Sequence, residues 1–189
     1  MKLDGMKVAV LVTDGYEPSE LTEPIRALRE AGAETMIISD HAGQIKGKTD
    51  ADTADVDLTL DAARPEDFGA LMLPGGVKNP DTMRQNEAGV AFVRHFADAG
   101  KPIAAICHAP WMLVEADVVR GRRVTSYPSL KTDLRNAGAE WVDEEVVTDR
   151  GLVTSRTPKD LPAFNAKMVE EFGEGRHDPI SAPETSATG

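Results

Sequence analysis

Three short apolar runs, each emptying into a turn of small or polar residues, constrain the fold of this chain more than anything else in it. They are Met6 to Val12, Phe68 to Pro74, and Ile103 to Ile106 within the longer stretch Lys101 to Leu113. A strand with no polar side has to be covered on both faces, the situation of a parallel sheet between two layers of helices. Residues at helical spacing supply the cover. Leu21, Ile25, Leu28 and Ala31 follow Pro18 and stop at Gly32; Val90, Val93, Phe96 and Ala97 follow a capping Asn86 and stop at Gly100; Leu161, Phe164, Met168 and Phe172 follow Thr157-Pro158 and stop at Gly173. With Glu34 to Ser39 as a further strand, strands alternate with helices. The pattern predicts an α/β three-layer sandwich with a mostly parallel central sheet.

The remaining segments are shorter. Gly43 to Leu60 reads as small extended pieces at a sheet edge, Asn79 to Asp81 as a loop, Gly121 to Ser126 as a strand, Ser129 to Ala137 as a short helix, and Trp141 to Val153 as two strands around Asp149-Arg150-Gly151. Residues 1–173 form a single domain in this reading, and 174–189, rich in Gly, Pro, Ser, Thr and charge, a flexible tail. The chain has 32 acidic and 21 basic residues and a formal charge of −11, which argues against a nucleic-acid surface; Arg122-Arg123 is read as a solvated edge. One cysteine forms no internal disulfide. No signal-peptide pattern opens the chain and no apolar run approaches the ~18 residues of a membrane span, so a cytoplasmic protein without a membrane partner is expected. His41, His95 and His177 show no metal-ligand spacing with one another or with Cys107, and no metal is expected.

Chemistry concentrates where the apolar runs end. Asp14 to Glu17, Gly75-Gly76 and Cys107-His108 each follow a strand, and if those strands are neighbours the three loops share one crevice at the carboxyl edge of the sheet. Cys107 falls at a corner between strand and helix, with Pro110 placed for the first helical turn, and the free N–H groups there favour a thiolate. A small buried apolar cysteine that merely ends a strand fits the same residues equally well.

Four segments together, Asp14-Gly15-Tyr16-Glu17 with Glu20-Leu21, Leu73-Pro74-Gly75-Gly76, Ala105-Ile106-Cys107-His108-Ala109-Pro110 and Thr125-Ser126-Tyr127-Pro128, resemble the PfpI-type members (intracellular protease I, bacterial general stress proteins) of the parkinsonism-associated deglycase superfamily. The resemblance runs from about Lys7 to Phe172 and implies a flavodoxin-like fold related to class I glutamine amidotransferases. It implies Cys107 as nucleophile, Glu17 as a protonated carboxyl reaching it, and His108 as acid or base, oriented by a carboxylate of a neighbouring subunit for which Asp81 is the candidate. Gly76 and His108 supply N–H groups suited to a developing oxyanion, while Gly75 permits the turn. The implied activity is that of a stress-response enzyme acting on reactive carbonyls such as methylglyoxal, a glutathione-independent glyoxalase or deglycase with no cofactor. The alternatives are a cysteine peptidase or amidase acting on peptides, and a sensor or chaperone that uses oxidation of the same thiol. A homodimer or higher oligomer is implied as well.

Overall fold

The computed structural model describes residues 1–179. Its main sheet has seven strands in the order β10-β11-β7-β6-β1-β2-β5. In sequence these are β1 (Lys7–Leu11), β2 (Glu34–Ser39), β5 (Leu58–Thr59), β6 (Ala70–Leu73), β7 (Ile103–Ile106), β10 (Val147–Asp149) and β11 (Leu152–Ser155). Every pairing in the sheet is parallel except the β10–β11 hairpin. The three apolar runs are therefore β1, β6 and β7, and they lie side by side in the centre.

Burial on both faces follows from their alternation. Ala9 and Leu11 of β1, Leu71 and Leu73 of β6, and Ile103 and Ala105 of β7 enter one core. Val8 and Val10, Ala70 and Met72, and Ala104 and Ile106 enter the other. Helices α3 (Glu87–Asp98), α4 (Pro110–Glu115) and α5 (Lys131–Asn136) cover the first face, and α1 (Pro18–Glu30) and α6 (Leu161–Glu174) the second. Asn86 caps α3 as its sequence predicts, its side-chain oxygen accepting from the Gly89 N–H at 3.0 Å.

The segment 43–60 is extended, as expected, but only β5 joins the sheet. Strands β3 (Gln44–Lys46) and β4 (Thr53–Asp55) form a separate antiparallel hairpin. That hairpin is tied to the loop after β1: the Gly15 N–H donates to the Lys46 carbonyl at 2.8 Å, and the Lys46 N–H to Asp14 Oδ1 at 2.9 Å. Residues Asn79 to Asp81, read as a loop, instead lie in a short helix, α2 (Lys78–Met83). Pro80 stands in its first turn, where its missing N–H costs nothing. Strands β8 (Arg123–Val124) and β9 (Glu140–Trp141) make a small parallel pair.

Two expectations need correction at the far end of the sheet. Arg122 is no solvated edge but fully buried, with its guanidinium donating to the Pro179 carbonyl at 2.8 Å. Residues 175–179 pack on the domain, because the His177 N–H donates to the Gly100 carbonyl at 2.8 Å and its ring lies against Gly151. The rest of the expected tail, 180–189, lies outside the described residues.

Phe96 sits fully buried under β6 and β7 with its ring 5.3 Å from that of Phe92. Phe96→Ala is expected to cost about 3–5 kcal/mol of stability. Urea unfolding should show a lower midpoint at an unchanged slope; a loss under about 1 kcal/mol would contradict the packing.

Candidate active site

The site is built on one strained residue. Cys107 has φ +65°, a left-handed conformation that a non-glycine residue adopts at a cost of roughly 1–3 kcal/mol. Three hydrogen bonds hold it there. The Cys107 N–H donates to the Ser155 carbonyl at 3.0 Å, its carbonyl accepts from the Tyr127 N–H at 2.9 Å, and the Ala109 N–H closes onto the Ile106 carbonyl at 3.0 Å. The chain thus leaves β7 in a sharp elbow and enters α4. Because α4 has only six residues, its dipole is small; the donors that face the sulfur are the Gly76 and His108 N–H groups.

Gly75 and Gly76 must each be glycine, for different reasons. Gly76 is the residue at positive φ, +80°, and a Cβ there would strike the Gly15 carbonyl and come within 2.8 Å of the Glu17 nitrogen. Gly75 has an ordinary backbone but no room: its Cβ would collide with the Glu20 carboxyl and approach Cys107 Cβ to 2.6 Å and the Ile106 carbonyl to 2.7 Å. Asn79, buried on α2, fixes this turn against β1. Its side-chain oxygen accepts from the Thr13 N–H at 2.8 Å, and its amide donates to the Pro74 and Gly75 carbonyls, both at 3.0 Å. The sequence reading missed this clamp, since a lone Asn-Pro pair signals only a turn.

The carboxyl that meets Cys107 is Glu20, not Glu17. Glu20 is fully buried, facing the Gly76 and Gly75 N–H groups and the thiol, yet neither of its oxygens closes a hydrogen bond of ordinary geometry. Burial first, and the charge of Glu17 second, push its pKa up to about 8. Glu17 lines the mouth of the same cleft, where its carboxylate accepts from Lys48 at 3.3 Å. A signal for Glu20 was present in the sequence: it lies four residues before Pro24 and eight before Leu28, on the buried stripe of α1.

Cys107 carries a raised pKa, about 12, through burial and then through the Glu20 charge, against the pull of the Gly76 and His108 N–H groups. The Glu20 contribution exists only where Glu20 is ionised. Below pH of about 8 the carboxyl is neutral, that repulsion vanishes, and the pair holds at most one negative charge.

His108 follows Cys107 and does reach it: Nδ1 lies 3.2 Å from the sulfur. Tyr127 stacks on the imidazole at 4.5 Å and Trp111 meets it edge-on at 5.2 Å. Burial lowers the pKa of His108, which favours the neutral ring. Trp111 packs against the core beneath His108, its indole N–H donating to Asp133 at 3.0 Å. Asp81 is exposed on α2 and is not among the residues lining the cleft.

The resulting cleft, about 800 Å³, is lined by the β1 loop, the β3–β4 hairpin with Lys46 and Lys48, Gly76 to Lys78, Cys107, His108 and Tyr127. That size suits a small molecule or a modified side chain. Among the described residues the potential metal ligands that cluster are Glu171, Glu174 and His177. They lie by Gly100 and Gly151, at the opposite end of β7 from Cys107, and Glu174 is exposed. No helix of the described residues is long and apolar enough to cross a membrane.

Fold and cleft together define a doubly wound α/β protein with a cysteine at a strand-to-helix elbow beside a buried carboxyl. The chain belongs to the DJ-1/PfpI family, whose profile matches residues 6–171. It is 47% identical over 169 residues to protein/nucleic acid deglycase 2 of Escherichia coli (strain K12), covering 88% of this chain and 98% of that protein. Identity to general stress protein 18 of Bacillus subtilis (strain 168) is 45% over 167 residues, with 87% and 96% covered. Among solved structures, Drosophila melanogaster DJ-1beta superposes with a TM-score of 0.82 at 30% identity, covering 89% of this chain and 90% of that one.

The raised pKa of Glu20 carries a sign for stability. The folded protein binds this proton more tightly than the unfolded chain, so the contribution is fully present below the ordinary glutamate range and is lost as pH rises through about 8. Glu20→Gln is therefore expected to match the parent in thermal unfolding near pH 4 and to exceed it by up to a few kcal/mol near pH 9. A parent-minus-variant difference that does not change with pH would contradict a neutral buried Glu20.

Proposed function

We propose that the protein is a cofactor-independent enzyme for reactive carbonyls, of the glyoxalase or deglycase type, with Cys107 as nucleophile. The observation that carries this reading is the strained elbow that aims a thiol at a neutral carboxyl on one side and an imidazole 3.2 Å away on the other. The names of the bacterial relatives support the substrate class. The unpaired cysteine agrees with a cytoplasmic setting.

The reaction follows from the three groups. The Cys107 proton passes to His108 Nδ1 as the sulfur attacks the aldehyde carbon of methylglyoxal, and the carbonyl oxygen, turned toward the backbone N–H groups, takes a proton to give a hemithioacetal. Glu20, neutral at the start, gives that oxygen its proton while His108 keeps the thiol proton as an imidazolium, and the carboxylate so formed accepts the proton removed from the former aldehyde carbon. Returning that proton to the adjacent carbon yields a lactoyl thioester. Water cleaves it, releasing lactate and restoring the thiol, so that one water and one methylglyoxal are consumed per lactate. For an adduct on an amine or thiol, the same attack at the former aldehyde carbon displaces the adducted group. Glu17 acts from the mouth of the cleft: its charge adds to burial in keeping Glu20 protonated. Asp81 has a part only if a second subunit brings it to His108, a proposal that rests on the resemblance alone.

Lactate formation from methylglyoxal, without glutathione, tests the reading. Cys107→Ser is expected to fall to background and Glu20→Gln to lose roughly 100-fold in kcat/KM. Equal lactate from the parent and Cys107→Ser would sink it. Cleavage of peptide substrates would then favour the peptidase, and peroxide oxidation of Cys107 without turnover the sensor.

A further inference from the structure

The Cys107–His108 pair leaves one atom unexplained, the second nitrogen of the imidazole. In this chain it has a partner of its own. Ser129, in the turn that joins Tyr127 to α5, places its hydroxyl oxygen 3.2 Å from His108 Nε2. The ring is thereby fixed on four sides: Cys107 at Nδ1, Ser129 at Nε2, Tyr127 stacked on the face and Trp111 at the edge. Tyr127 and Ser129 belong to one short stretch, and the Tyr127 N–H also ties that stretch to the Cys107 carbonyl. A single segment therefore holds both the strained nucleophile and the histidine beside it.

We propose that Ser129 is the positioning residue for His108, the third member of an intrachain Cys107–His108–Ser129 relay. The proposal rests on the acid–base role of His108 in the reading above. A thiol that keeps its proton donates to Nδ1, which obliges the neutral imidazole to carry its own proton on Nε2 and to donate it to the serine oxygen. When the thiol proton moves to Nδ1, the ring becomes a cation and the Nε2–H···Oγ bond becomes charge-assisted, so Ser129 stabilises the thiolate–imidazolium state more than the neutral one. The titratable groups facing the ring are Cys107 and Tyr127, with Glu20 beyond the sulfur; Arg84 and Asp133 contact Trp111 on its far side.

Because Cys107 is the single cysteine, its alkylation by iodoacetamide reads the thiolate without any substrate. Ser129 is exposed, so Ser129→Ala should fold normally, and water will fill part of the gap. The expected result is a roughly threefold to tenfold slower alkylation at neutral pH, with the pH profile moved upward, and recovery of both in Ser129→Thr. Nitrogen-15 NMR of His108 should show the Nε2–H tautomer in the parent and a mixture in Ser129→Ala. Superimposable profiles and tautomer signals in the parent and Ser129→Ala would overturn the proposal, as would a larger shift from Asp81→Asn than from Ser129→Ala. Absence of lactate formation by the parent would sink the carbonyl reading, while alkylation and NMR would still decide the role of Ser129.

Discussion

The left-handed backbone at Cys107 is the constraint on which the site depends. A side chain leaving a strand in ordinary extended geometry would enter one of the two apolar layers; positive φ instead turns the sulfur toward the crevice above the sheet. The cost is met by order elsewhere, through the Ser155 carbonyl of the neighbouring strand β11 and the Tyr127 N–H. Those partners are in place because β7 lies between β6 and β11, so the central position of the strand and the strain at its end are one arrangement. Gly75 and Gly76 belong to it as well: one leaves room for Glu20 and Cys107, the other lets the β6 loop pass against the β1 loop.

Electrostatics then divides the work between two acids a helical turn apart. Glu17 stays at the mouth, paired with a lysine, and Glu20 is driven inward with the apolar stripe of α1. Burial of Glu20 without full hydrogen bonding would be a defect in a structural residue. Beside a thiol it is useful, since a neutral carboxyl donates a hydrogen bond to sulfur where a carboxylate would repel it. The same burial destabilises the folded state at alkaline pH, the usual relation between a working site and the fold that carries it.

Much of this architecture is legible in the sequence. The runs at Met6, Phe68 and Ile103 are apolar on both faces because their neighbours are helices, and Asn86 announces α3 by supplying its cap. What sequence could not supply was strand order, which depends on pairings between distant residues, and so the convergence of the three loops was conditional until β1, β6 and β7 proved adjacent. Glu20 was missed for a subtler reason. The resemblance puts Glu17 at the thiol, and Glu20 goes unread because a charged residue on a buried stripe looks like an interruption; Glu17 lines the mouth of the cleft and makes no side-chain capping bond. Arg122 and Asn79 gave no warning at all, because their partners, Pro179 and Asp149 among them in one case and Thr13, Pro74 and Gly75 in the other, come from other turns of the chain.

The central claim is that Glu20 is neutral beside Cys107 at physiological pH. Infrared difference spectroscopy of the parent against Glu20→Gln, taken from about pH 5 to about pH 10, observes that carboxyl itself. The account predicts a protonated-carboxyl C=O band that persists through neutral pH and gives way to carboxylate bands near pH 8. Carboxylate bands already present at neutral pH, with no protonated band to lose, would contradict it.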